Sequence, residues 1–330
     1  MSARVIPILC LALAAASCEK ARELVSKTTS SMKERVAART GGADAAEADA
    51  ELRELVDQTP EGAVFRKDLP FPARLEVHTT RRQEWSGRLY QTSAIERRVE
   101  PLKGTRTSVM KLERAGNQVR HTLEQSAFNI PSPDNPEGAG QALADPLQAI
   151  APTSQPHTFR KHGNAWKADS GSGFLTAALA KDLSPVFEQL LIENALAPRT
   201  LWFAKKRLKA GDQLVITGNS LPMLLAGNAT GSLTLKLEAF EPADGHPCGV
   251  FSVTGDYKRR QVPDFDGVFT DEDVTIQSGK LWLSLIHPVI LREELDTIQT
   301  IKSGVKGGQT VRIQGAIKVS VKRAWKAPAS

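Results

Sequence analysis

The residue with the most specific chemistry in this chain is Cys18. It follows Ala15-Ala16-Ser17, precedes Glu19, and closes an apolar run from Val5 to Ala16 that begins after the basic Arg4. A short basic start, an apolar segment and small residues before a cleavage point are what the export machinery reads as a secretion signal. As a helix the twelve residues from Val5 to Ala16 would rise only ~18 Å, short of the roughly 30 Å hydrocarbon core, so the run is not a membrane span.

Other groups invite chemistry and offer less. Asp264, Asp266, Asp271, Glu272 and Asp273 place five carboxylates in ten residues. Clustered oxygens are what calcium takes, but the ligand order of an EF-hand is missing, and a solvated hairpin tip accounts for the charge. The six histidines, at 78, 121, 157, 162, 246 and 287, never adopt an H-E-x-x-H or H-x-H spacing. His157 and His162 read as surface histidines. Asp169-Ser170-Gly171-Ser172-Gly173 resembles neither a nucleophile elbow nor a phosphate loop and reads as a helix-entry turn. Cys248, between Pro247 and Gly249, has no neighbouring cationic helix terminus to activate it and reads as a small buried residue. No catalytic residue, metal site or cofactor follows from these patterns, and the chain reads as a non-enzyme. One apolar run, Leu221, Met223, Leu224 and Leu225, could contact a hydrophobic ligand or cross a core.

The signal and its cysteine resemble the lipobox of bacterial lipoproteins. That resemblance implies cleavage between Ser17 and Cys18 and a diacylglycerol on the Cys18 thiol. Ala15 stands where Leu is usual, and an A-x-A-type cut using Ala14 and Ala16 is the alternative. Glu19, in the place of a retention aspartate, implies an exported protein anchored at the outer membrane and facing the periplasm. More than one acyl chain would make that anchor stable. With Cys10 lost to the signal and Cys18 to lipid, Cys248 has no partner for an intramolecular disulfide.

The formal net charge of +6 falls to +5 when Arg4 leaves with the signal. No acid follows Asp296, whereas Lys302, Lys306, Arg312, Lys318, Lys322, Arg323 and Lys326 do. Such a one-signed tail could meet anionic headgroups or polysaccharide, and reads more simply as a solvated face with Lys guarding an edge strand. The exported address excludes nucleic acid as a partner. An envelope protein, a lipid or a polysaccharide remains, and oligomeric state is not encoded in any pattern here.

The elements that must position these residues change character along the chain. Residues 1–17 are the signal. Residues 18–60 read as a lipid-attached helical stalk, with Leu24, Thr28, Met32 and Val36 on one face and a second helix carrying Leu52, Leu55 and Val56 up to Thr59-Pro60. From 61 to 128 the period becomes two: Leu75, Val77 and Thr79 alternate with polar neighbours, and Val109 to Gln125 reads as a hairpin about Gly116-Asn117. Residues 129–156, rich in Pro and Gly, read as a linker with a short helix at 140–150. Residues 157–330 carry a helix started by Ser184-Pro185, with Val186, Phe187, Leu190 and Leu191 on one face, and then a second meander. Its strands include Leu233, Leu235 and Leu237, a return through Cys248 and Val250, Leu281, Leu283 and Leu285, and Val311 to Val321. Met110-Lys111-Leu112-Glu113 and Leu235-Lys236-Leu237-Glu238 echo one another, so 61–330 also reads as a single domain of two similar halves. The expected class is α+β, mainly antiparallel β, with curved meander sheets, the N-terminal stalk and one or two packed helices.

Lys209-Ala210-Gly211-Asp212-Gln213-Leu214 and the strands that follow it, through Glu294, resemble an uncharacterised family of β-rich bacterial envelope lipoproteins. The resemblance implies architecture and anchoring and no catalytic residue. Two functions follow for the body: a non-enzymatic binding or structural module, or a carrier of lipid in a curved half-barrel.

Overall fold

Period-two alternation controls the architecture. The computed structural model describes residues 52–66, 69, 72, 74–92, 97–129, 157–162, 165–168, 206–218, 229–260, 268–305 and 310–326. In chain order the strands are β1 (Asp57–Thr59), β2 (Gly62–Val64), β3 (Arg74–Thr92), β4 (Arg97–Ala115), β5 (Gln118–Asn129), β6 (His157–His162), β7 (Ala165–Ala168), β8 (Arg207–Leu208), β9 (Gln213–Thr217), β10 (Ala229–Phe240), β11 (Cys248–Arg260), β12 (Val268–Ser284), β13 (Ile290–Val305) and β14 (Thr310–Lys326). Eleven of them form one sheet in the order β7-β6-β5-β4-β3-β14-β13-β12-β11-β10-β9, and β1, β2 and β8 form a second of three strands. Every pairing between them is antiparallel. The fold is thus mainly antiparallel β, as the alternation predicts. Among the described residues no helix is long and apolar enough to cross a membrane.

Turn chemistry closes the hairpins where the sequence places it. Asp244 and Gly245 both take positive φ, 48° and 80°, between the paired Ala243 and His246, and return β10 into β11. That is the primed turn for which Asp-Gly is suited. Gly116, at φ 55°, returns β4 into β5. Register shifts at Leu237/Ala239, Ser252/Gly255, Ile276/Ser278 and Trp282/Leu283 mark bulges, which bend a strand and add to its twist.

One face of the large sheet can be followed from register to register. Leu235 pairs with Val253, Phe251 with Leu281, Val274 with Gln299, Ile301 with Ile313, Ile317 with Trp85, Val77 with Leu112, and Val119 with Phe159. Directly opposed residues share a face, so apolar side chains recur on this inner face from one side of the sheet to the other, with polar ones such as Gln299 between them. The other face carries Lys236, Ser252, Lys280, Glu294, Ser320 and Arg82 across the same strands. The three-stranded sheet packs on the inner face through Ala63, Phe65 and Leu208 against Leu233 to Leu237, Phe251, Val253 and Leu281. The Phe65 and Phe251 rings lie 5.4 Å apart.

Several expectations require correction. Asp57-Gln58 belongs to a strand, not to the end of a helical stalk: residues 52–54 make a helical turn, and β1 then pairs with β2 around Pro60-Glu61. The rest of the stalk, the helix near 140–150 and the helix after Ser184 lie outside the described residues. The strand carrying Leu281, Leu283 and Leu285 is not half-buried, because every residue from 281 to 290 is buried. Leu281, Leu283 and Leu285 join the core under the small sheet, whereas Trp282 packs with Ala243, Cys248, Val250, Val289 and Leu291 in a second cluster. Finally, β14 is not an edge strand. It lies between β13 and β3, with Lys318 directly opposed to both Asp296 and Glu84, so acids from elsewhere in the chain flank the acid-free tail.

Candidate functional site

Of the residues that sequence reasoning put forward, Ser17, Cys18, Leu221, Met223, Leu224, Leu225, Asp264 and Asp266 lie outside the described residues. Asp271 and Asp273 stand on β12 rather than at a hairpin tip, and both face Arg260 across β11: the guanidinium is 2.9 Å from Asp273 Oδ1 and 3.6 Å from Asp271 Oδ1. Their charge is answered by a cation already in place. No group of three or more metal-ligating side chains occurs among the described residues.

Among the described residues, the inner face beyond the small sheet carries a separate apolar patch. Trp85, Leu102 and Ile317 are buried there as a separate cluster, and Leu89, Ile301, Ile313 and Val319 pack around them while remaining only half-buried. The alternation of β3, β13 and β14 positions these side chains, and their order in space comes from the β3–β14 pairing.

The outer face has a different feature. A groove of ≈ 370 Å³ runs over β10 to β13, lined by Thr230, Asp256, Lys258, Asp273, Thr275, Ile298 and Thr300 among others. Thr275 Oγ1 donates to Asp256 Oδ1 across it. Ile298 is an exposed large apolar side chain at this place. Its lining mixes these polar groups with Tyr257, Val274 and Ile298, and exposes more apolar than polar surface.

A third constellation joins residues that sequence spacing kept apart. The Ser284 hydroxyl accepts hydrogen bonds from the backbone N–H groups of Ile286 and His287, each at 3.0 Å, and lies 2.6 Å from Nε2 of His246. With its acceptor capacity used, its one proton goes to Nε2, which places the imidazole proton on Nδ1. The Trp325 ring stands 5.5 Å from His246 and 5.3 Å from His287. Burial, with the nearby His287 adding to it, depresses His246 to about 3; burial also takes His287 to about 4, and Arg66 acts in the same direction. The Cys248 thiol donates to the His246 carbonyl at 3.2 Å, and burial raises it to about 12. A serine, a histidine and a cysteine therefore meet, but in a sealed place: Ser284 has no exposed surface, the base is held neutral and the thiol is held protonated. This is a structural clasp at the ends of β11 and β12. The shared dipeptides His246-Pro247 and His287-Pro288, each beside an apolar strand, were the signal that could have linked the two histidines.

Sequence reasoning grouped Arg323 with a solvated basic tail, and its burial corrects that reading. It sits on the inner side of β14 with 2% of its surface exposed, and its guanidinium bonds Glu293 Oε1 at 2.7 Å and the Ile290 carbonyl at 3.0 Å.

No family model matches this sequence, and no curated protein matches it. Among solved structures the chain is similar to lipovitellin, from a structure concerned with lipid–protein interactions, at TM-score 0.36 and 10% identity over 81% of this chain; it spans 26% of that chain. It is similar also to a domain described as an outer membrane lipoprotein-sorting protein from Vibrio parahaemolyticus, at TM-score 0.17 and 11% identity over 87% of this chain and 95% of that one. A DUF1329 family protein from Desulfovibrio piger gives TM-score 0.16 and 6% identity over 87% and 92% of the two chains. Scores this low do not mark a shared fold.

Proposed function

We propose that this protein is an exported, lipid-anchored binding module of the bacterial envelope, without catalytic activity, whose sheet holds a hydrophobic ligand against its inner face. The observation that carries the ligand class is the half-buried apolar patch of Leu89, Ile301, Ile313 and Val319, continuous with the buried Trp85, Leu102 and Ile317. Contiguous apolar surface that a fold leaves accessible marks a place for lipid or for a partner. The anchor rests on the signal layout and on Cys18, acylated after cleavage at Ser17, with Glu19 directing the protein to the outer membrane. The non-enzymatic reading is supported by the chemistry of the Ser284–His246–Cys248 clasp, where neither hydroxyl nor thiol is available as a nucleophile.

The test is extraction and mass spectrometry of the protein purified from its native envelope. Lipid should co-purify with the folded body, and Leu89→Gln with Ile313→Gln should reduce its amount several-fold without unfolding the sheet. A folded protein that carries no lipid overturns the reading. The same spectra should show an acylated Cys18 at the mature N-terminus; an unmodified start there ends the anchoring proposal.

A second reading follows from the outer groove. Its threonines, Asp256 and Lys258 fit an envelope polysaccharide strand, and a lipid-free protein retained on such a polymer would favour it.

A further inference from the structure

The outer face changes character along β3, β4 and β14. Toward one end its cations are answered by acids: Arg82 meets Glu84 at 3.0 Å, Lys111 meets Glu76 at 3.0 Å, and Lys318 is opposed to both Glu84 and Asp296. Toward the other end they are not. Positions 86, 88, 90 and 92 of β3 point outward, because Trp85 and Leu89 on the alternate positions join the inner cluster. Each has a partner on β4, at 103, 101, 99 and 97, and a partner on β14, at 316, 314, 312 and 310. These twelve positions hold four cations, Arg88, Arg97, Lys103 and Arg312, and no Asp or Glu. With strands ~4.8 Å apart and outward positions ~6.8 Å apart, they cover a face of roughly 10 by 20 Å. Sideways, Lys302 lies opposite Arg312 and stands between it and Asp271, which itself faces Arg260. The two connections that border the face bring Glu96 and Lys306, one charge of each sign, so the excess of four cations is kept.

Two other side chains stand among these cations. The Arg312 guanidinium lies over the Tyr90 ring, 4.1 Å from its centre. Stacking engages the flat of a guanidinium and leaves its N–H edge to an anion. In the same row, next to Tyr90, Val99 is 48% exposed, one of the few large apolar side chains so exposed among the described residues. Arg and Lys with an aliphatic and an aromatic side chain between them suit the head-group layer of a bilayer, where basic groups meet phosphates and amphipathic rings sit at the boundary of the acyl region. An acidic polysaccharide would answer the charge and leave Val99 in water.

We propose that this face of β3, β4 and β14 docks on an anionic phospholipid surface, with Arg88, Arg97, Lys103 and Arg312 on the phosphates and Val99 and Tyr90 between them. The assignment concerns the outer face and does not depend on the ligand proposed for the inner one. It adds a second attachment to the acyl anchor proposed at Cys18, and it turns the inner apolar patch away from the bilayer.

The experiment is cosedimentation of the protein in its mature form, with Cys18→Ser so that no acyl chain contributes. The vesicles are equimolar phosphatidylglycerol and phosphatidylcholine in one series and phosphatidylcholine alone in the other. A basic side chain close to an anionic surface strengthens binding roughly fivefold, so the anionic vesicles should be bound at least tenfold more tightly, and added salt should shrink the difference. Arg88→Gln with Lys103→Gln should remove most of that preference, and Arg88→Lys with Lys103→Arg should keep it. Lys236→Gln with Lys280→Gln, the same loss of charge elsewhere on the outer face, should leave it nearly unchanged. All four side chains are exposed, so these changes leave the core intact. Equal losses from the two double glutamine variants overturn the placement on this face. Equal binding to both kinds of vesicle, or binding to neither, overturns the anionic surface as partner. Retention on dextran sulfate without binding to vesicles also overturns it and assigns the cations to a soluble polyanion. If acylated protein binds both kinds of vesicle while the Cys18→Ser form binds neither, the anchor stands and this docking face falls.

Discussion

His246 Nε2 and the Ser284 hydroxyl meet at 2.6 Å across the paired ends of β11 and β12, and the same hydroxyl receives the N–H groups of Ile286 and His287. One oxygen thereby holds a chain reversal and an imidazole together inside the apolar cluster of Trp282, Val289 and Leu291. Replacing Ser284 by Ala removes the acceptor of two buried N–H groups and the donor to His246. A loss of about 1–3 kcal/mol is expected in urea unfolding, with the slope of the transition unchanged.

The buried histidines make stability fall in acid. Their folded values, about 3 for His246 and about 4 for His287, lie below the ordinary 6.5. The unfolded chain therefore takes up protons that the folded chain refuses. Their contribution is complete above pH 6.5 and declines as pH falls from there, until His287 titrates near 4 and His246 near 3. Between these limits each histidine adds up to ~1.4 kcal/mol per pH unit to the decline. Unfolding midpoints measured from pH 7 to pH 4 should show this, and a His246→Asn, His287→Gln variant should have a flatter profile even if it is less stable at pH 7.

Cys248 gives an independent check on the same cluster. Its thiol is buried, hydrogen-bonded to the His246 carbonyl and pushed up to about 12, so almost none is thiolate at neutral pH. Only the thiolate alkylates readily. Peptide-resolved iodoacetamide labelling should leave the peptide containing Cys248 unmodified in native buffer at pH 8 and label it fully in denaturant.

What the sequence made legible was local. Leu75, Val77 and Thr79, and Leu233, Leu235 and Leu237, alternate as written and are buried as written, because a strand with one buried face records its orientation in its own residues. The turns at Gly116 and at Asp244-Gly245 were equally visible, since positive φ selects Gly and Asp. Pairing between distant segments was not. The neighbour of β14 is β3, more than two hundred residues earlier, and no pattern within either strand names the other. That single pairing turns a supposed basic edge into the centre of a sheet and sets Lys318 beside Glu84. Burial on both faces likewise erased the alternation signal at Leu281 to Ile290.

Arg323 and Glu293 form an ion pair whose cation is 1% exposed and whose anion is 16% exposed. Breaking such a pair from one side leaves a charge in a place that water does not reach. Glu293→Ala should therefore destabilise by about 3 kcal/mol or more, whereas Glu293→Leu combined with Arg323→Met should recover most of that loss, since removing both charges ends the desolvation cost. A double-mutant cycle from thermal and urea unfolding provides the check; equal and additive losses would mean that the pair contributes nothing as a pair.

The final prediction concerns how the two sheets are held together. Gly249 on β11 lies under Phe65, the residue that follows β2, and a Cβ at 249 would run into Cζ and Cε1 of that ring and then meet Leu237 Cδ1 at 3.2 Å. Phe65 packs 5.4 Å from Phe251, and its neighbour Arg66 donates its backbone N–H to the Leu285 carbonyl at 3.0 Å, so the ring cannot withdraw without carrying the small sheet with it. Overpacking of a filled core typically costs 1–3 kcal/mol. Gly249→Ala should lose about that much, and Phe65→Leu in the same chain should relieve part of it because the smaller side chain opens the space the methyl needs. If the two losses instead add in full, the contact between Gly249 and Phe65 is not what joins the three-stranded sheet to the large one, and the docking rests on Ala63, Leu208, the Phe65–Phe251 contact and the Arg66–Leu285 hydrogen bond.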